Sequence, residues 1–402
     1  MPLVGILGAG TMGSGIAQAA ALAGWDVELI DVSEDFVRKS HENSRRTFEK
    51  LVEKGKLTPA ARDAASARLK TATCADCLKD ADLIIEAIVE DLAVKVNTLR
   101  PIVAVARPDS IFASNTSSLS ITKIGAGIGC EARTVGMHFF NPVPLMPLVE
   151  VISGKHTSTA AADRVAAIAT AWGKTVVRAA DTPGFIVNRV ARGYYLEALR
   201  MLDEGVAGID EIDQTMRGLG AFRMGPFELM DLIGIDVNFS VSNSVWEQLG
   251  RPARLRPHAI QRDLFEKMQF GRKSKRGFYS YESEHPLPAV LVERQSFQLP
   301  DKTYQAVRMF FDAVTDKGGS ITEQYIFSRI VATVINEAAL LVDEGGATPA
   351  DIDTAMKLGT NYPFGPLELA QKIGRRTCAF LLRSLDEGLA QSRFAPARWL
   401  TD

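Results

Sequence analysis

The stretch from residue 3 to residue 31 constrains this chain more than any other. A short apolar run, Leu3 to Leu7, leads into Gly8-Ala9-Gly10-Thr11-Met12-Gly13. A helical pattern from Ser14 to Ala23 ends at Gly24, and a second apolar run, Val27 to Ile30, stops at Asp31. Strand, glycine turn, helix and strand in about 30 residues supply the context that a bare G-x-G-x-x-G lacks. Gly8 permits the tight turn, Gly10 lets the backbone approach a pyrophosphate, and Gly13 lets the helix pack closely on the strand. The helix N-terminus then offers unpaired N–H groups and a partial positive charge to phosphates. Asp31, 18 residues past Gly13, ends the second strand, where a carboxylate accepts hydrogen bonds from both ribose hydroxyls and repels a 2′-phosphate. The expected cofactor is therefore NAD, held by Gly8, Gly10, Thr11, Met12, Gly13 and Asp31.

Apolar runs continue at Leu83 to Ile88, Ile111 to Ser114, Thr134 to Phe139, Leu148 to Ile152 and Thr175 to Arg178, with helical or polar segments between. Residues 1–181 thus read as an α/β Rossmann-type dinucleotide-binding domain. From Pro183 onward the periodicity is helical, over 185–203, 209–218 and 226–250. An internal repeat organises this half. At an offset of 140, Arg189 matches Arg329, Glu197-Ala198 matches Glu337-Ala338, and Asp203-Glu204-Gly205 matches Asp343-Glu344-Gly345. The register holds without a gap through Ile212-Asp213 and Ile352-Asp353, Gly225-Pro226 and Gly365-Pro366, to Gly234 and Gly374. The chain is expected to carry two tandem, mostly α-helical domains, 182–285 and 295–402, joined through the Pro-containing stretch from Glu284 to Pro300.

Net charge narrows the partners. Lys plus Arg less Asp plus Glu is 46 − 48 = −2, with no long run of one sign, so neither a nucleic-acid nor an anionic-membrane footprint is expected. Four cysteines cannot build a disulfide framework, and Cys74 and Cys77 have no second pair near them, so reduced thiols and no metal are expected. The N-terminus enters Leu3 to Leu7 without a basic stretch, and the chain ends Trp399-Leu400-Thr401-Asp402 rather than Ser-Lys-Leu. A cytoplasmic location is the expectation.

Of five histidines, only His138 ends an apolar strand, and strand ends of open α/β sheets border the ligand crevice. Glu150 lies inside Leu148-Val149-Glu150-Val151-Ile152, where a carboxylate calls for a partner and an imidazole is a natural one. A His–Glu pair fixes one tautomer and stabilises the charged ring, which suits a general base. Ser114-Asn115-Thr116-Ser117-Ser118 follows another strand and reads either as polar groups aimed into the crevice or as an ordinary hydroxyl turn. Asn188, early in an apolar helix, reads either as a cleft residue or as part of a polar face.

The chain resembles the L-3-hydroxyacyl-CoA dehydrogenases in five ordered motifs: G-A-G-T-M-G at 8–13, S-N-T-S-S at 114–118, H-F-F-N-P-V-P at 138–144, L-V-E-V-I at 148–152 and P-G-F-I-V-N-R at 183–189. The resemblance covers the whole length, both helical repeats included. It implies reversible NAD-dependent oxidation of an L-3-hydroxyacyl-CoA to the 3-ketoacyl-CoA. His138 would be the base, Glu150 its orienting partner, and Ser117 and Asn188 hydrogen-bond partners near the reacting oxygen. It further implies that Glu90, Lys95 and Asn115 contact the nicotinamide half of NAD, places Asn141 among the cofactor contacts, and makes Lys54 a CoA contact. Tandem helical domains, with Ser328 where the first has Asn188, imply a single active site and either a monomer with an internal pseudo-dimer or a homodimer. Two other classes compete. One is a dehydrogenase of a free hydroxy acid, like the gulonate dehydrogenases related to lambda-crystallin. The other is a protein that binds NAD without hydride transfer.

Overall fold

The computed structural model describes residues 2–296, 298–389 and 392–402, and it divides into two compact units, Met1–Phe185 and Ile186–Asp402. In the motif C-A-D-C, the side chains of residues 75 and 76 lie outside what is described.

The first unit is built on one eight-stranded sheet. Its strands are β1 (Leu3–Leu7), β2 (Asp26–Ile30), β3 (Leu69–Ala72), β4 (Leu83–Glu86), β5 (Ile111–Ser114), β6 (Thr134–Phe139), β7 (Leu148–Ser153) and β8 (Thr175–Ala180), in the order β3-β2-β1-β4-β5-β6-β7-β8. The first six run parallel, β7 is antiparallel to β6, and β8 is parallel to β7. Every residue of β4, β5 and β6 is buried, as both faces of a parallel sheet are covered by helices, which is why these strands read as unbroken apolar runs. The strand order reverses between β1 and β4, so their C-terminal ends open the crevice in which such sheets bind ligands.

Helix α1 (Thr11–Leu22) is buried along nearly its whole length between sheet and the following helix, α2 (Glu34–Glu53). The polar residues it carries inward are matched: Ser14 Oγ meets Ser40 Oγ at 2.6 Å, and Gln18 Nε2 donates to Ser44 Oγ at 3.2 Å. Helix α2 and α3 (Pro59–Arg68) form a hairpin inserted before β3. Helices α4 (Leu92–Val105), α5 (Ile121–Ile128) and α6 (Thr159–Ala171) complete the unit.

Two details differ from the sequence reading. β3 went unread because a four-residue edge strand with a single fully buried side chain carries no apolar run. The run Leu83 to Ile88 is a strand only as far as Glu86, whose side chain folds back to accept the N–H of Ile88 at 2.8 Å and turns the chain.

The second unit is helical: α7 (Val187–Val190), α8 (Arg192–Asp203), α9 (Ile209–Gly218), α10 (Pro226–Ile233), α11 (Ile235–Gln248), α12 (Ala259–Glu266), α13 (Asp301–Val314), α14 (Ile321–Asp343), α15 (Pro349–Gly359), α16 (Pro366–Ile373) and α17 (Arg375–Leu389). The stretch 226–250 is two helices rather than one, because Gly234 takes φ of +101° between them. α14 is long and apolar enough to cross a membrane by length and composition. Its most apolar window is 83% buried, as the core helix of this unit.

Candidate active site

The glycine turn separates what the chain needs for itself from what it leaves open. Gly8 has φ of +100°, and a Cβ there would lie 2.5 Å from the carbonyl oxygen of Ala87; one on Gly13 would lie 1.8 Å from that of Gly8. A Cβ on Gly10 would meet nothing within 4 Å. Gly8 and Gly13 thus serve the turn and the helix–strand contact, whereas Gly10 faces open space at the start of α1. Gly10 caps that helix without a side-chain acceptor, so the first amides of α1 point outward unpaired. An anionic diphosphate fits this cradle. Asp31 Oδ2 accepts from Ala9 N at 2.8 Å and Oδ1 from Ser33 N at 3.0 Å, which ties the end of β2 to the turn. The nearest downstream guanidinium, Arg38, is engaged by Asp35 at 2.8 Å. A 2′-phosphate would meet the Asp31 carboxylate, with the nearest downstream guanidinium already engaged, so the residues present fit NAD.

His138 and Glu150 are register partners across the antiparallel pair β6–β7. His138 Nδ1 lies 2.6 Å from Glu150 Oε2, with the glutamate fully buried and the histidine 6% exposed. A buried carboxylate at Nδ1 makes that nitrogen the protonated one and leaves Nε2 with its lone pair. Nε2 makes no hydrogen bond among the described residues. The rings of Phe140 and Phe185, with centroids 4.7 and 5.9 Å from that of the imidazole, hold it in an apolar flank.

Beside this pair, Glu86 anchors a polar network under the crevice. Its Oε2 accepts from Ser114 Oγ and its Oε1 from Lys95 Nζ, both at 2.6 Å, and Lys95 is also 3.1 Å from Glu90 Oε2. Glu90 Oε1 gathers Thr116 Oγ1, Ser118 Oγ and the backbone N–H groups of Ser117 and Ser118. Burial by itself would raise the Glu90 pKa, but the Lys95 ammonium and the Thr116 and Ser118 hydroxyls hold it below the usual carboxylate range. Lys95, 1% exposed, is therefore fully committed inside the chain. Asn115 Oδ1 accepts from Phe139 N at 2.9 Å, so it braces the strand that ends beside His138 and keeps only its amide N–H groups for a ligand. The Ser117 hydroxyl makes no hydrogen bond among the described residues. The sequence reading passed over Glu86; the available signal was a carboxylate closing an apolar strand nine residues before a lysine.

Lys54 and Asn141 line a groove of about 570 Å³ in the first unit, with Gly10, Thr11, Lys39 and Lys50 around them. Three ammonium groups along one wall suit a phosphate-bearing ligand. Asn188 belongs to the second unit, in α7, where its half-buried side-chain amide makes no hydrogen bond among the described residues.

Residues 3–182 match the family described as 3-hydroxyacyl-CoA dehydrogenase, NAD binding domain. Residues 184–281 and 325–402 match that described as 3-hydroxyacyl-CoA dehydrogenase, C-terminal domain. The 3-hydroxyadipyl-CoA dehydrogenase of Escherichia coli K12 is 35% identical over 99% of this chain and 96% of its own length. The 3-hydroxybutyryl-CoA dehydrogenase of Bradyrhizobium diazoefficiens is 41% identical over 71% of this chain and 97% of its own. Among solved structures, the 3-hydroxybutyryl-CoA dehydrogenase of Escherichia coli K12 superposes with a TM-score of 0.89 at 35% identity, covering 100% of this chain and 97% of that one.

Proposed function

The chain belongs to the 3-hydroxyacyl-CoA dehydrogenase family and is an NAD-dependent oxidoreductase, and from that premise we propose that His138 is the base that interconverts an L-3-hydroxyacyl-CoA and its 3-ketoacyl-CoA. The observation that carries this reading is the His138–Glu150 pair, buried, 2.6 Å apart, with Nε2 left free. Bound NAD supplies the hydride acceptor. In the oxidation direction Nε2 takes the proton of the C3 hydroxyl, and Glu150 stabilises the imidazolium that forms. Ser117 and Asn188 donate to the substrate oxygen as its charge changes. In the reverse direction the imidazolium returns the proton. Gly8, Gly10, Thr11, Met12 and Gly13 hold the diphosphate, Asp31 the adenosine ribose, and Glu90, Lys95, Asn115 and Asn141 the remainder of the cofactor. Glu90, paired with Lys95, also fixes the turn that presents Ser117.

The groove containing Lys54 supports a CoA thioester over a free hydroxy acid, because three lysines are wasted on a substrate without phosphates. Initial rates of NADH oxidation with acetoacetyl-CoA and with free acetoacetate test this. The thioester is expected to be reduced and the free acid to be left nearly untouched; the opposite order assigns the chain to free hydroxy acids. An enzyme that binds NADH and reduces neither leaves only the binding role.

The helical half is read as one unit present twice, 182–285 and 295–402. α10 and α16, Pro226–Ile233 and Pro366–Ile373, recur at the same offset of 140. Arg189 reaches Glu337 and Glu344, while Arg329 reaches Glu197 and Glu204. Each copy's arginine enters the other's glutamate pair, as across a two-fold interface. Such a chain is its own pseudo-dimer, and a monomeric mass by light scattering is the expected result.

A further inference from the structure

The helical unit contains a cavity of about 520 Å³ whose wall is cationic. Arg200 on α8, Arg256 and His258 in the turn before α12, Arg262 on α12 and Arg393 beyond α17 all line it, and no carboxylate does so among the described residues. The four guanidiniums fall into two pairs. Arg200 and Arg393 form a buried floor, bound to Glu197 at 2.5 and 3.2 Å, and Arg393 also lies 3.7 Å from Glu204. Both glutamates are shared with Arg329, so three guanidiniums divide two carboxylates. Burial pulls the Arg393 pKa below its ordinary value in spite of Glu197. Arg256 and Arg262 are exposed, and neither side chain makes a hydrogen bond or ion pair among the described residues. The imidazole is engaged: His258 Nδ1 accepts the N–H of Ile260 at 3.3 Å, and Nε2 lies 3.6 Å from Asp203.

The fold does not require this set. Arg254 pairs with Glu337 as Arg393 pairs with Glu197, and the two glutamates are equivalent positions of the repeat. The run Arg254-Leu255-Arg256-Pro257-His258 therefore corresponds to Arg393-Phe394-Ala395-Pro396-Ala397, one residue short of the offset of 140. The second copy closes the same turn with Ala395 in place of Arg256 and Ala397 in place of His258, and it has Leu340 where the first has Arg200. Like charges crowded around one space repel, and the turn itself gains nothing from them.

We propose that this cavity is a binding site for a phosphate-bearing small molecule, gripped by Arg256 and Arg262 over the floor of Arg200 and Arg393. A guanidinium presents parallel N–H donors that match two phosphate oxygens. A phosphomonoester or diphosphate carries the two negative charges that Arg256 and Arg262 lack, whereas a monocarboxylate carries one. The volume lies in the range of small-molecule pockets and leaves room for an organic group beside the phosphate. The site shares no residue with the glycine cradle or the lysine groove of the first unit, and it stands apart from the dehydrogenase reading. A bound phosphate would tie α8 and α12 to the segment after α17, and so stabilise the folded helical unit by mass action.

The test is isothermal titration calorimetry of the full chain, saturated with NADH so that the glycine cradle is filled, against pyrophosphate, ADP and succinate at one ionic strength. Pyrophosphate or ADP is expected to bind, and succinate, a dianion without phosphate, to bind more weakly. Tighter binding of ADP than of pyrophosphate assigns the site to an organic phosphate, and the reverse order to an inorganic one. Arg256→Ser with Arg262→Ser should weaken the phosphate ligand about tenfold or more. Both side chains are exposed, so this variant should melt with the wild type when no ligand is present. If it does not, Arg262→Ser alone carries the test. Lys39→Ser with Lys50→Ser and Lys54→Ser, which strips the ammonium groups from the groove of the first unit, should leave the binding in place. A wild type that binds neither phosphate, equal affinity for succinate, or binding lost in the lysine variant and kept in the arginine variant overturns the proposal and leaves the dehydrogenase reading untouched.

Discussion

The role proposed for His138 rests on what the ring lacks as much as on what it has: Nδ1 is occupied by Glu150, and Nε2 makes no hydrogen bond among the described residues. His138→Gln should lower kcat about 10²- to 10⁴-fold, the usual worth of a positioned base, with the NADH dissociation constant unchanged by fluorescence titration. Asp31, proposed to bind the adenosine ribose, also holds the backbone of Ala9 and Ser33 through its two oxygens. Asp31→Ala should therefore raise the KM for NADH about ten- to a hundredfold and loosen the turn as well. The cleaner test is Asp31→Ser with Val32→Arg, since Val32 is 97% exposed and accepts an arginine without repacking. NADPH should then gain on NADH in kcat/KM. Glu90 and Lys95, which the family resemblance implies as nicotinamide contacts, are paired with each other in the structure, Lys95 also hydrogen-bonds to Glu86, and Glu90 also to the turn at 116–118.

At the scale of elements, the β1–α1 turn distinguishes glycines that the fold needs from Gly10, which it leaves open to the proposed diphosphate. Gly13→Ala sets a Cβ against the carbonyl of Gly8, so both the melting temperature and NADH affinity should fall. Gly10→Ala meets nothing within the chain. It should melt with the wild type and yet bind NADH poorly, and circular dichroism melts beside fluorescence titrations separate the two cases. The antiparallel step from β6 to β7 is the other decisive element. It puts residue 138 directly opposite residue 150, and a slip of one residue would turn Glu150 to the other face of the sheet.

Over the whole molecule, the helical unit is locked by ion pairs between distant segments. Glu197, 1% exposed, is met by Arg200, Arg329 and Arg393. Burial alone would raise its pKa, and the three guanidiniums override that and hold it far below the ordinary glutamate range. With the folded-state pKa depressed, the stabilisation is complete above the unfolded value, about 4.3, and is lost as pH falls through that range and below. The melting temperature should drop between about pH 5 and pH 3 on this account. Glu197→Gln should flatten that acid limb and cost about 3–5 kcal/mol near neutrality, because three buried cations lose their shared anion. Calorimetry of both proteins across that pH range is the check.

Local chemistry is legible in the sequence wherever backbone geometry demands one residue type. The glycine turn could be read because only glycine tolerates the φ of Gly8 and the contact at Gly13, and the sheet could be read because strands buried on both faces must be apolar throughout. The offset of 140 was equally visible, since identity at fixed spacing needs no coordinates. What the sequence left open is everything that depends on which atoms meet. That Asn115 accepts the Phe139 amide, that Glu86 lies under Lys95, and that β3 exists at the sheet edge were decided by strand order and register. Arg192 is the clearest instance. In sequence it is one of 46 basic residues in a chain of nearly balanced charge, and only the packing of α8 against α11 reveals that its charge is buried with no carboxylate bonded to it among the described residues. Counter-ions are set by three-dimensional proximity, which spacing along a chain does not encode.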